Sequence, residues 1–464
     1  MTRGPKVIPI EYVAETAVRL ATVANRPWFV FLDSCVGRAI GGRYDVITAE
    51  PRVTLTTRGN NTQIVSSESE VNSTADPFML IKETLAEHRC ETHELPFIGG
   101  AIGYFGYDLG RRVEILPDST IQDINIPDMA VGIYDWAAVF DHQCKRAWLV
   151  AADDCVQDLD SWERILTARS PLTPPAYGTS FQAISKVKPE ISFSEYAAAF
   201  KQIKKYIVEG DCYQVNFAQR FSADVSGNAW DAYQRLRNLN PAPYSSYLSI
   251  PGGAILSSSP ERFLRVADRV VESKPIKGTR RRARDPEEDR RLAEELAESE
   301  KDRAENIMIV DLLRNDLGKS CVVGSIDVPQ LFAVESYTTV HHLVSTIRGH
   351  LADELEVTDL LRGCFPGGSI TGAPKLRAME IIEELETFRR TVYCGSIGYL
   401  SCDGKMDTSI AIRTLVHCAG KMYCWAGGGI VADSELDEEY RESLDKAAAM
   451  LDVFSHAEAQ HLGH

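Results

Sequence analysis

The chain has 464 residues, of which 44% are hydrophobic and 25% are charged, a composition that excludes disordered and fibrous proteins. Its formal net charge of −16 argues against nucleic acid as a partner. No segment approaches the roughly 18 apolar residues of a membrane helix, and the first residues lack an export signal. The eleven cysteines form no CxxC pair, so we expect reduced thiols in a cytoplasmic protein that makes no membrane contact.

The first 169 residues contain short apolar runs separated by turn-forming residues. Residues 53–57 (VTLTT) alternate in polarity, residues 58–61 (RGNN) are typical of a turn, and a return strand follows. Residues 129–140 and 146–151 repeat this pattern. Such hairpins predict antiparallel sheet. The proline-rich stretch 170–179 (SPLTPPAYGT) predicts a linker over 170–188.

The region 189–455, which precedes a predicted tail over 456–464, begins with a helix signal. Ser192 and Glu195 form a capping pattern ahead of an apolar-periodic run that ends near residue 208. The pattern then predicts strands over 254–257, 262–266, 270–273, 393–401, 406–416 and 422–426, and helices over 286–299, 300–316 and 435–453. We therefore predict an α+β fold in which two mainly antiparallel sheets pack face to face with helices on the outside.

The sequence PIKGTRRR at residues 275–282 places a lysine inside a tight turn among other basic residues. A lysine in a loop is most often a solvated charge, but Lys277 is preceded by Lys274 and followed by Arg280, Arg281 and Arg282. Neighbouring cations disfavour the charged form of an amine and so favour its nucleophilic form. The sequence therefore predicts Lys277 as a candidate nucleophile.

Two predicted helices carry carboxylates spaced to share a helix face. They are Asp302 and Glu305 on the first helix, and Glu439 and Glu442 on the second, with Lys446 four residues further on. Four carboxylates could hold a hard cation such as Mg²⁺ through oxygen atoms, although a solvated surface explains most single pairs. The apolar residues 307–310 predict a buried helix, and the glycines 427–429 predict a backbone that can approach a ligand.

Other polar residues of the second region are candidates for ligand binding or catalysis. Arg413 lies in the predicted strand 406–416, where a guanidinium needs a carboxylate from the protein or from a substrate. Residues 365–375 (FPGGSITGAPK) lack the spacing of a nucleotide-binding loop and predict another ligand-contacting loop. A strand histidine such as His342 is more often a hydrogen-bonded core residue than a catalyst. Glu261 could be a general acid or base, but spacing alone favours a surface residue.

Taken in chain order, these motifs resemble the chorismate-utilising enzyme family over nearly the whole chain. The matching segments are LDS at 32–34, FIGGAIGYFGYDLG at 97–110, DCYQVNFAQRF at 211–221, SPERF at 259–263, PIKGT at 275–279, DRAENIMIVDLLRND at 302–316, HHLVSTI at 341–347, FPGGSITGAPK at 365–375, CGSIGYLS at 394–401 and AGGGIVADS at 426–434. The resemblance implies the family's fold and an activity on chorismate.

The turn at Lys277 distinguishes the branches of the family that this sequence resembles. Anthranilate synthases look like PIAGT at this turn, with alanine in place of the lysine. A lysine at this position resembles the branch of the family that makes 4-amino-4-deoxychorismate for 4-aminobenzoate and folate biosynthesis. The alternatives are anthranilate synthase component I and an isochorismate or salicylate synthase, which uses water in place of ammonia. A non-catalytic tryptophan-sensing subunit is disfavoured because Lys277, Glu261, Arg413 and all four carboxylates are present.

The resemblance also implies individual roles, with Lys277, Glu261 and His342 as the catalytic residues. Lys277 would attack C2 of chorismate and form a covalent intermediate, while Glu261 would protonate the departing C4 hydroxyl. The implied ligands of Mg²⁺ are Glu305, Glu442, Asp302 and Glu439. The implied substrate-binding residues are Thr279, Ser369, Tyr393, Arg413, Gly427, Gly428, Gly429 and Lys446.

Two further partners follow from the resemblance. Ammonia would come from a separate glutamine amidotransferase subunit, because no cysteine of this chain lies in the G-x-C-x-G context of a class I glutaminase. Tryptophan would be the second partner, since the resemblance implies that the family's tryptophan pocket corresponds to Ser34, Arg43, Tyr44, Pro243, Tyr244 and Ser245.

Overall fold

The structure, a computed structural model, describes residues 4–37, 39, 41–152, 155–168, 180–337 and 340–454. The proline-rich stretch 170–179 and the predicted tail lie outside these residues. The elements of the first part of the chain are β1 (Lys6–Ile10), β2 (Val30–Asp33), β3 (Tyr44–Thr48), β4 (Val53–Arg58), β5 (Asn61–Ser66), β6 (Glu70–Ser73), α1 (Pro77–Ala86), β7 (Gly100–Phe105), β8 (Met129–Tyr134), β9 (Trp136–Asp141), β10 (Arg146–Ala151) and α2 (Leu159–Thr167).

The second part of the chain supplies the remaining strands and helices. They are β11 (Gln182–Ala183), β12 (Lys188–Pro189), α3 (Phe193–Glu209), β13 (Gln214–Ser226), α4 (Ala229–Leu239), β14 (Tyr244–Ile250), β15 (Gly253–Ser259), β16 (Arg262–Ala267), β17 (Val270–Lys274), β18 (Ile276–Arg281), α5 (Pro286–Glu298), α6 (Glu300–Gly318), β19 (Asp327–Ser336), β20 (Val340–His350), α7 (Val357–Cys364), β21 (Gly372–Ala373), α8 (Lys375–Leu385), β22 (Ser396–Ser401), β23 (Met406–Ile410), β24 (Thr414–Cys418), β25 (Lys421–Ile430) and α9 (Leu436–Leu451). Among the described helices, none is long and apolar enough to cross a membrane.

Two large antiparallel sheets contain strands from both parts of the chain. Within the described residues, the first sheet has 13 strands, in the order β1-β10-β9-β3-β2-β14-β15-β24-β25-β13-β11, with β12 and β21 also paired to β13. The second has 12 strands, in the order β18-β20-β17-β16-β23-β22-β7-β8-β4-β5-β6, with β19 paired to β20. The predicted fold class is confirmed. The boundaries of the two predicted regions stay a prediction, since both sheets cross them.

Strand alternation explains how the sheets share one core. Val30 of β2 packs into the cluster between the sheets, whereas its neighbours Phe29 and Phe31 pack on the outer face of the first sheet against Trp230 of α4. Successive strand residues point to opposite faces, so one strand contributes to both clusters. Side chains of α2 and α9 complete the outer cluster, which places helices outside the sheets as predicted.

Two predicted strand runs are divided because the chain crosses from one sheet to the other within them. Residues 129–140 become β8 of the second sheet and β9 of the first, and residues 406–416 become β23 of the second and β24 of the first. The chain also crosses between β15 and β16. Glu261 lies at this crossing, and Arg413 lies at the crossing between β23 and β24 with a φ of 49°. The Ser258 amide donates to the Arg413 carbonyl at 3.1 Å, so these two crossings lie side by side.

One pair of cysteines departs from the expectation of reduced thiols. Cys90, after α1, is disulfide-bonded to Cys402, which lies between β22 and β23. The two residues are 312 positions apart in the sequence, so no local spacing pattern could reveal the pair. The expectation is wrong for this pair, whereas nine described cysteines are free.

Candidate active site

Lys277, Ser369 and Glu261 form a hydrogen-bonded group beside the crossing between β15 and β16. Lys277 is on β18, and its Nζ donates to the carbonyl oxygen of Ser369 at 3.2 Å. The Ser369 hydroxyl donates to Oε1 of Glu261 at 2.7 Å. Ser369 lies in a single 3₁₀ turn, Gly368–Ile370, within the glycine-rich segment. This turn therefore holds an amine and a carboxyl group together.

Loss of hydration lowers the pKa of Lys277 below its usual value. Lys446 adds to this effect, while the charges of Glu261 and Glu305 oppose it. None of the basic residues close to Lys277 in sequence is among the main causes of this shift in pKa, and three of them pair with carboxylates. Their partners are Glu335 for Lys274, Glu295 and Asp302 for Arg280, and Asp289 for Arg282. The prediction that the pKa of the Lys277 amine is lowered agrees with the structure. The proposed cause, crowding by basic residues close in sequence, is wrong.

Glu261 is a buried residue rather than the surface residue that its spacing favoured. It is 5% exposed, and burial raises its pKa, although the Ser369 hydroxyl and the charge of Lys277 oppose the increase. The surface interpretation is wrong because the sheet crossing brings this residue under the 368–370 turn. A carboxyl with a raised pKa beside an amine with a lowered pKa can supply an acid and a nucleophile in one place.

His342 is a buried, neutral histidine at the edge of this group. Its Nδ1 lies 2.9 Å from the hydroxyl oxygen of Thr279, and its ring packs edge-on against Tyr337 at 5.3 Å between centroids. Burial, together with the charge of Arg413, lowers the pKa of His342 to about 4. His342 therefore offers a hydrogen bond near neutral pH rather than a positive charge.

Arg413 carries a positive charge that lacks a carboxylate partner among the described residues. Its Nη1 donates to Oδ1 of Asn240 at 3.2 Å, and loss of hydration alone lowers its pKa. The sequence left open whether a partner would come from the protein or from a substrate. Within the described part of the chain the structure supplies an amide, so Arg413 remains available to an external carboxylate.

The glycines 427–429 lie on a strand that is open on one side. β25 pairs with β13 along residues 421–430, but β24 pairs only with residues 421–424. Backbone groups of the open stretch can therefore face a ligand, since alternate residues of a strand direct their N–H and C=O groups to opposite sides. Tyr393 is buried nearby, with its ring parallel to that of Trp425 at 6.2 Å. Lys446 Nζ donates to the Gly427 carbonyl at 3.1 Å.

Gln214 is a polar residue beside this strand that we did not predict. It is 1% exposed, and neither amide atom has a hydrogen-bond partner in the described structure. A Cβ on residue 429 would lie 2.0 Å from its Nε2, so glycine is required there for the amide to fit. The sequence offered no signal that singles it out, because β13 also buries the polar residues Asn216, Gln219 and Arg220.

Two of the four predicted metal ligands face the open strand, and a third, Glu305, lies close enough to Glu442 to feel its charge. Glu439 and Glu442 project from α9, where a Cβ on residue 428 would lie 3.0 Å from Glu439 Oε2 and 3.4 Å from Glu442 Oε1. Glu305 projects from α6. Burial raises its pKa, and the charge of Glu442 raises it further. The prediction that residues 307–310 bury this helix holds on one side only, because Ile309 is buried and Ile307 is 47% exposed.

The donor chemistry of these carboxylates fits Mg²⁺. Glu305 has no hydrogen bond or ion pair to any other described residue, whereas Asp302 pairs with Arg280 at 3.2 Å and Glu442 pairs with Lys446 at 2.6 Å. Among the described residues, no three His, Cys, Asp or Glu side chains are already gathered closely enough to hold a metal ion. Carboxylate oxygens are the ligands that Mg²⁺ prefers, and a cation would relieve the repulsion between Glu305 and Glu442.

Comparison with known proteins places this site in a family. The model of a chorismate binding enzyme matches residues 32–452, a span that contains every predicted site residue. The chain belongs to the chorismate binding enzyme family. Its two-sheet fold is therefore the fold of that family.

Relatives within the chorismate binding enzyme family include proteins of two names. The aminodeoxychorismate synthase component 1 of Salmonella typhimurium is 48% identical over 457 residues, covering 97% of this chain and 98% of that protein. The protein of the same name from Klebsiella aerogenes is 49% identical over 452 residues, with 97% and 98% covered. The crystal structure of anthranilate synthase component I from Streptococcus pneumoniae has a TM-score of 0.78 at 33% identity, covering 89% of this chain and 93% of that chain.

A cavity of about 460 Å³ lies between the two sheets of this chorismate binding enzyme. It is lined by five of the six residues predicted to bind tryptophan, Arg43, Tyr44, Pro243, Tyr244 and Ser245. The sixth, Ser34, lies behind the wall, where its amide and hydroxyl donate to Asp45 Oδ1 at 2.9 and 2.7 Å. The volume falls within the range of about 300–1,000 Å³ that is typical of small-molecule sites.

Charged groups of both signs line this cavity. The Arg43 guanidinium lies 4.6 Å from the centroid of the Tyr44 ring and pairs with Asp141 at 2.7 Å. The wall also contains Arg265 and Asp268. A ligand that carries both an ammonium and a carboxylate could therefore find a partner for each.

Proposed function

We propose that this chain is the synthase subunit that converts chorismate and ammonia to 4-amino-4-deoxychorismate. The observation that carries the proposal is the arrangement of Lys277, Ser369 and Glu261, in which an amine of lowered pKa and a carboxyl of raised pKa contact one residue. The two relatives named aminodeoxychorismate synthase component 1 support it, since they are 48% and 49% identical to this chain. The anthranilate synthase structure is more distant, at 33%.

Chorismate carries two carboxylates, and the site offers them two separate environments. Arg413 would bind one of them, helped by Tyr393 and by the backbone of residues 427–429. The other would lie toward Glu305, Glu439 and Glu442, whose negative charge repels it. Mg²⁺ held by these residues and by Asp302 would supply the positive charge that the ring carboxylate needs.

The reaction would proceed in two displacements. In the first, the neutral amine of Lys277 attacks C2, the ring double bonds shift, and the C4–O bond breaks. Glu261 gives its proton to the departing hydroxyl, which leaves as water. In the second, ammonia attacks C4 and the C2–N bond to Lys277 breaks, so the lysine leaves as an amine. The new ammonium at C4 returns one proton to Glu261, and the pyruvyl ether stays intact.

Residues at the mouth of the site would orient the substrate in both steps. Thr279 and His342 hydrogen-bond to each other and would present a neutral polar edge to the ring. Because the pKa of His342 is about 4, it would act as a hydrogen-bonding group rather than as a charged acid near neutral pH. Lys446, beside Glu442, would limit the negative charge near the entering substrate.

Ammonia would come from a separate glutamine amidotransferase subunit. The sequence context of the cysteines excludes a class I glutaminase nucleophile in this chain. The relatives' name, component 1, also indicates that those proteins have a second component. With glutamine as nitrogen source, we expect product only when a glutaminase subunit is added, whereas ammonium salts should support the reaction alone.

The test is to incubate the purified chain with chorismate, Mg²⁺ and excess ammonium at mildly alkaline pH. Products are identified by liquid chromatography and mass spectrometry. We expect an amino-deoxychorismate that retains its pyruvyl group and whose formation stops when Mg²⁺ is chelated. Anthranilate would support the first alternative, and isochorismate formed without ammonia would support the second. Either result would overturn the proposed reaction.

We further propose that the cavity between the sheets binds tryptophan. The aromatic rings of Tyr44 and Tyr244 suit an indole ring, and the charged groups of the wall suit an amino acid backbone. Calorimetry with L-tryptophan should show saturable binding that Tyr244→Ala weakens at least about tenfold. D-Tryptophan is the matched control ligand. Absence of both heat and a thermal shift with L-tryptophan would contradict the proposal.

A further inference from the structure

One buried arginine connects the segments that carry the candidate active site. The Arg390 side chain is 1% exposed, and its guanidinium contacts three separate segments. Its Nη1 donates to the carbonyl oxygen of Ile370 at 3.0 Å, and its Nη2 donates to the carbonyl oxygen of Asn216 at 2.5 Å. The Glu386 carboxylate accepts from Nε at 2.9 Å and from Nη2 at 2.6 Å. The guanidinium fork therefore has partners in several directions at once.

Each segment held in this way carries part of the site. Ile370 directly follows Ser369 in the 3₁₀ turn. Asn216 is paired with Gly429, so its strand supports the open glycine stretch. The carbonyl of Arg390 itself accepts from the Tyr393 amide at 2.9 Å. Arg390 thus fixes the relative positions of the turn, the strand and the tyrosine without lying among the residues that face the substrate.

We infer that Arg390 is a positioning residue for the proposed reaction. By holding the Ile370 carbonyl, it fixes the peptide between residues 370 and 371, at the end of the 3₁₀ turn. It thereby positions Ser369, whose carbonyl accepts from the Lys277 amine and whose hydroxyl donates to Glu261. The inference deepens the proposed function, and its rate measurement rests on that function. A separate measurement of amine reactivity does not.

Stability alone is a poor explanation for this arrangement. Replacing a buried ion pair with apolar residues is often neutral or stabilising, whereas in some proteins a buried ion pair specifies one conformation. Arginine differs from lysine here, because a planar fork can contact a carboxylate and two carbonyls together. A lysine at position 390 could keep the ion pair with Glu386 but could not reproduce all the contacts to Ile370 and Asn216.

The test compares Arg390→Lys and Arg390→Gln with Arg111→Lys. Arg111 is a matched control, because its guanidinium pairs with the buried Glu383 of α8, the helix that ends just before Glu386, but contacts no site residue. With ammonium as nitrogen source, we expect kcat to fall about 100-fold in both Arg390 variants, as small misplacements of reacting groups do. The KM for chorismate should change less than about threefold, because the substrate contacts remain. Arg111→Lys should lose thermal stability while keeping its kcat.

The second readout is the reactivity of Lys277 toward trinitrobenzenesulfonate, followed by mass spectrometry of the peptide that contains it. The charged groups that face Lys277 are Glu261, Glu305, Glu442 and Lys446. When the turn loosens and water enters, labelling should require a higher pH in the Arg390 variants than in the wild type or Arg111→Lys. If labelling and kcat per folded molecule stay at wild-type values, or if neither Arg390 variant folds, Arg390 is only structural and the inference is overturned. If only the rate measurement fails, the proposed reaction is at fault.

Discussion

Replacing Lys277 with alanine should reduce the rate of ammonia-dependent product formation by more than about a thousandfold, as loss of an enzymatic nucleophile does. The physical reason is that the proposed first displacement needs the amine to form the C2–N bond. Steady-state kinetics with ammonium and chorismate measure the effect. Intact-mass spectrometry of the wild-type chain, quenched in the absence of ammonia, should show the covalent adduct, and the variant should show none.

Lys274→Ala is the matched control for this change. Lys274 ends β17, which pairs with β20 as β18 does, but its Nζ pairs with Glu335 at 2.6 Å and not with the site. Its replacement should leave kcat within about twofold of the wild type, because surface substitutions have small effects. Wild-type rates for Lys277→Ala at low ammonia would exclude the covalent route. Partial recovery at very high ammonium would not, since direct attack by ammonia could then compete.

Replacing Glu261 with glutamine should reduce kcat by about 10²–10⁴-fold, the usual contribution of a general acid. Glutamine keeps the side-chain shape and an oxygen that can accept from the Ser369 hydroxyl. The change therefore removes the acidic proton with little change in geometry. The KM for chorismate should change far less than kcat. Kinetics at several pH values measure both parameters.

The expected pH dependence of the rate follows from the opposite shifts in the pKa values of Lys277 and Glu261. The wild-type rate should fall on the acid side as Lys277 becomes protonated, and burial moves this limb toward neutral pH by lowering the pKa of the amine. It should fall on the alkaline side as Glu261 loses its proton, and burial moves this limb upward by raising the pKa of the carboxyl. The residual activity of Glu261→Gln should keep the acid limb and lose the alkaline limb.

A buried carboxylate outside the site provides the control for Glu261→Gln. Glu383 is 4% exposed and accepts from the amides of Ser119 and Thr120, each at 2.9 Å. Glu383→Gln should lower the unfolding temperature without changing either pH limb. If Glu261→Gln instead retains both limbs and most of its rate, Glu261 is not the acid.

Local sequence patterns were sufficient for most helices and hairpins. Ser192 and Glu195 form the capping box of α3 in the structure, and α5 and α6 begin at the predicted residues 286 and 300. These features depend on residues within one turn of each other, so the sequence contains all that is needed to predict them. The same holds for the hairpin of β4 and β5, whose turn residues lie between the paired strands.

Crossings between the sheets could not be predicted in the same way. A strand has the same two-residue period in either sheet, so the pattern over 406–416 does not reveal that the chain changes sheets at Arg413. The burial of Glu261 has the same origin, since it depends on the distant 368–370 turn. The family resemblance therefore indicated the candidate site residues, whereas the physical causes of their burial and of their pKa shifts depend on the fold.

Gln214 and the Cys90–Cys402 pair were missed for a related reason. Whether a glutamine in a strand is buried without partners depends on the glycine of a neighbouring strand. Whether two thiols meet depends on segments 312 residues apart. Both properties arise from contacts that form only in the folded chain, so neither has a local sequence signal.

The order of strands in the sheets has a consequence for how the protein is made. β22 and β23 join β16 to β7, and β24 and β25 join β15 to β13, so residues 396–430 connect the two halves of both sheets. Until that segment leaves the ribosome, a nascent chain presents long strand edges without partners, which invite aggregation. We therefore expect the nascent chain to depend on chaperones until residue 430 has been translated, and a premature stop before residue 396 to leave no partly active product.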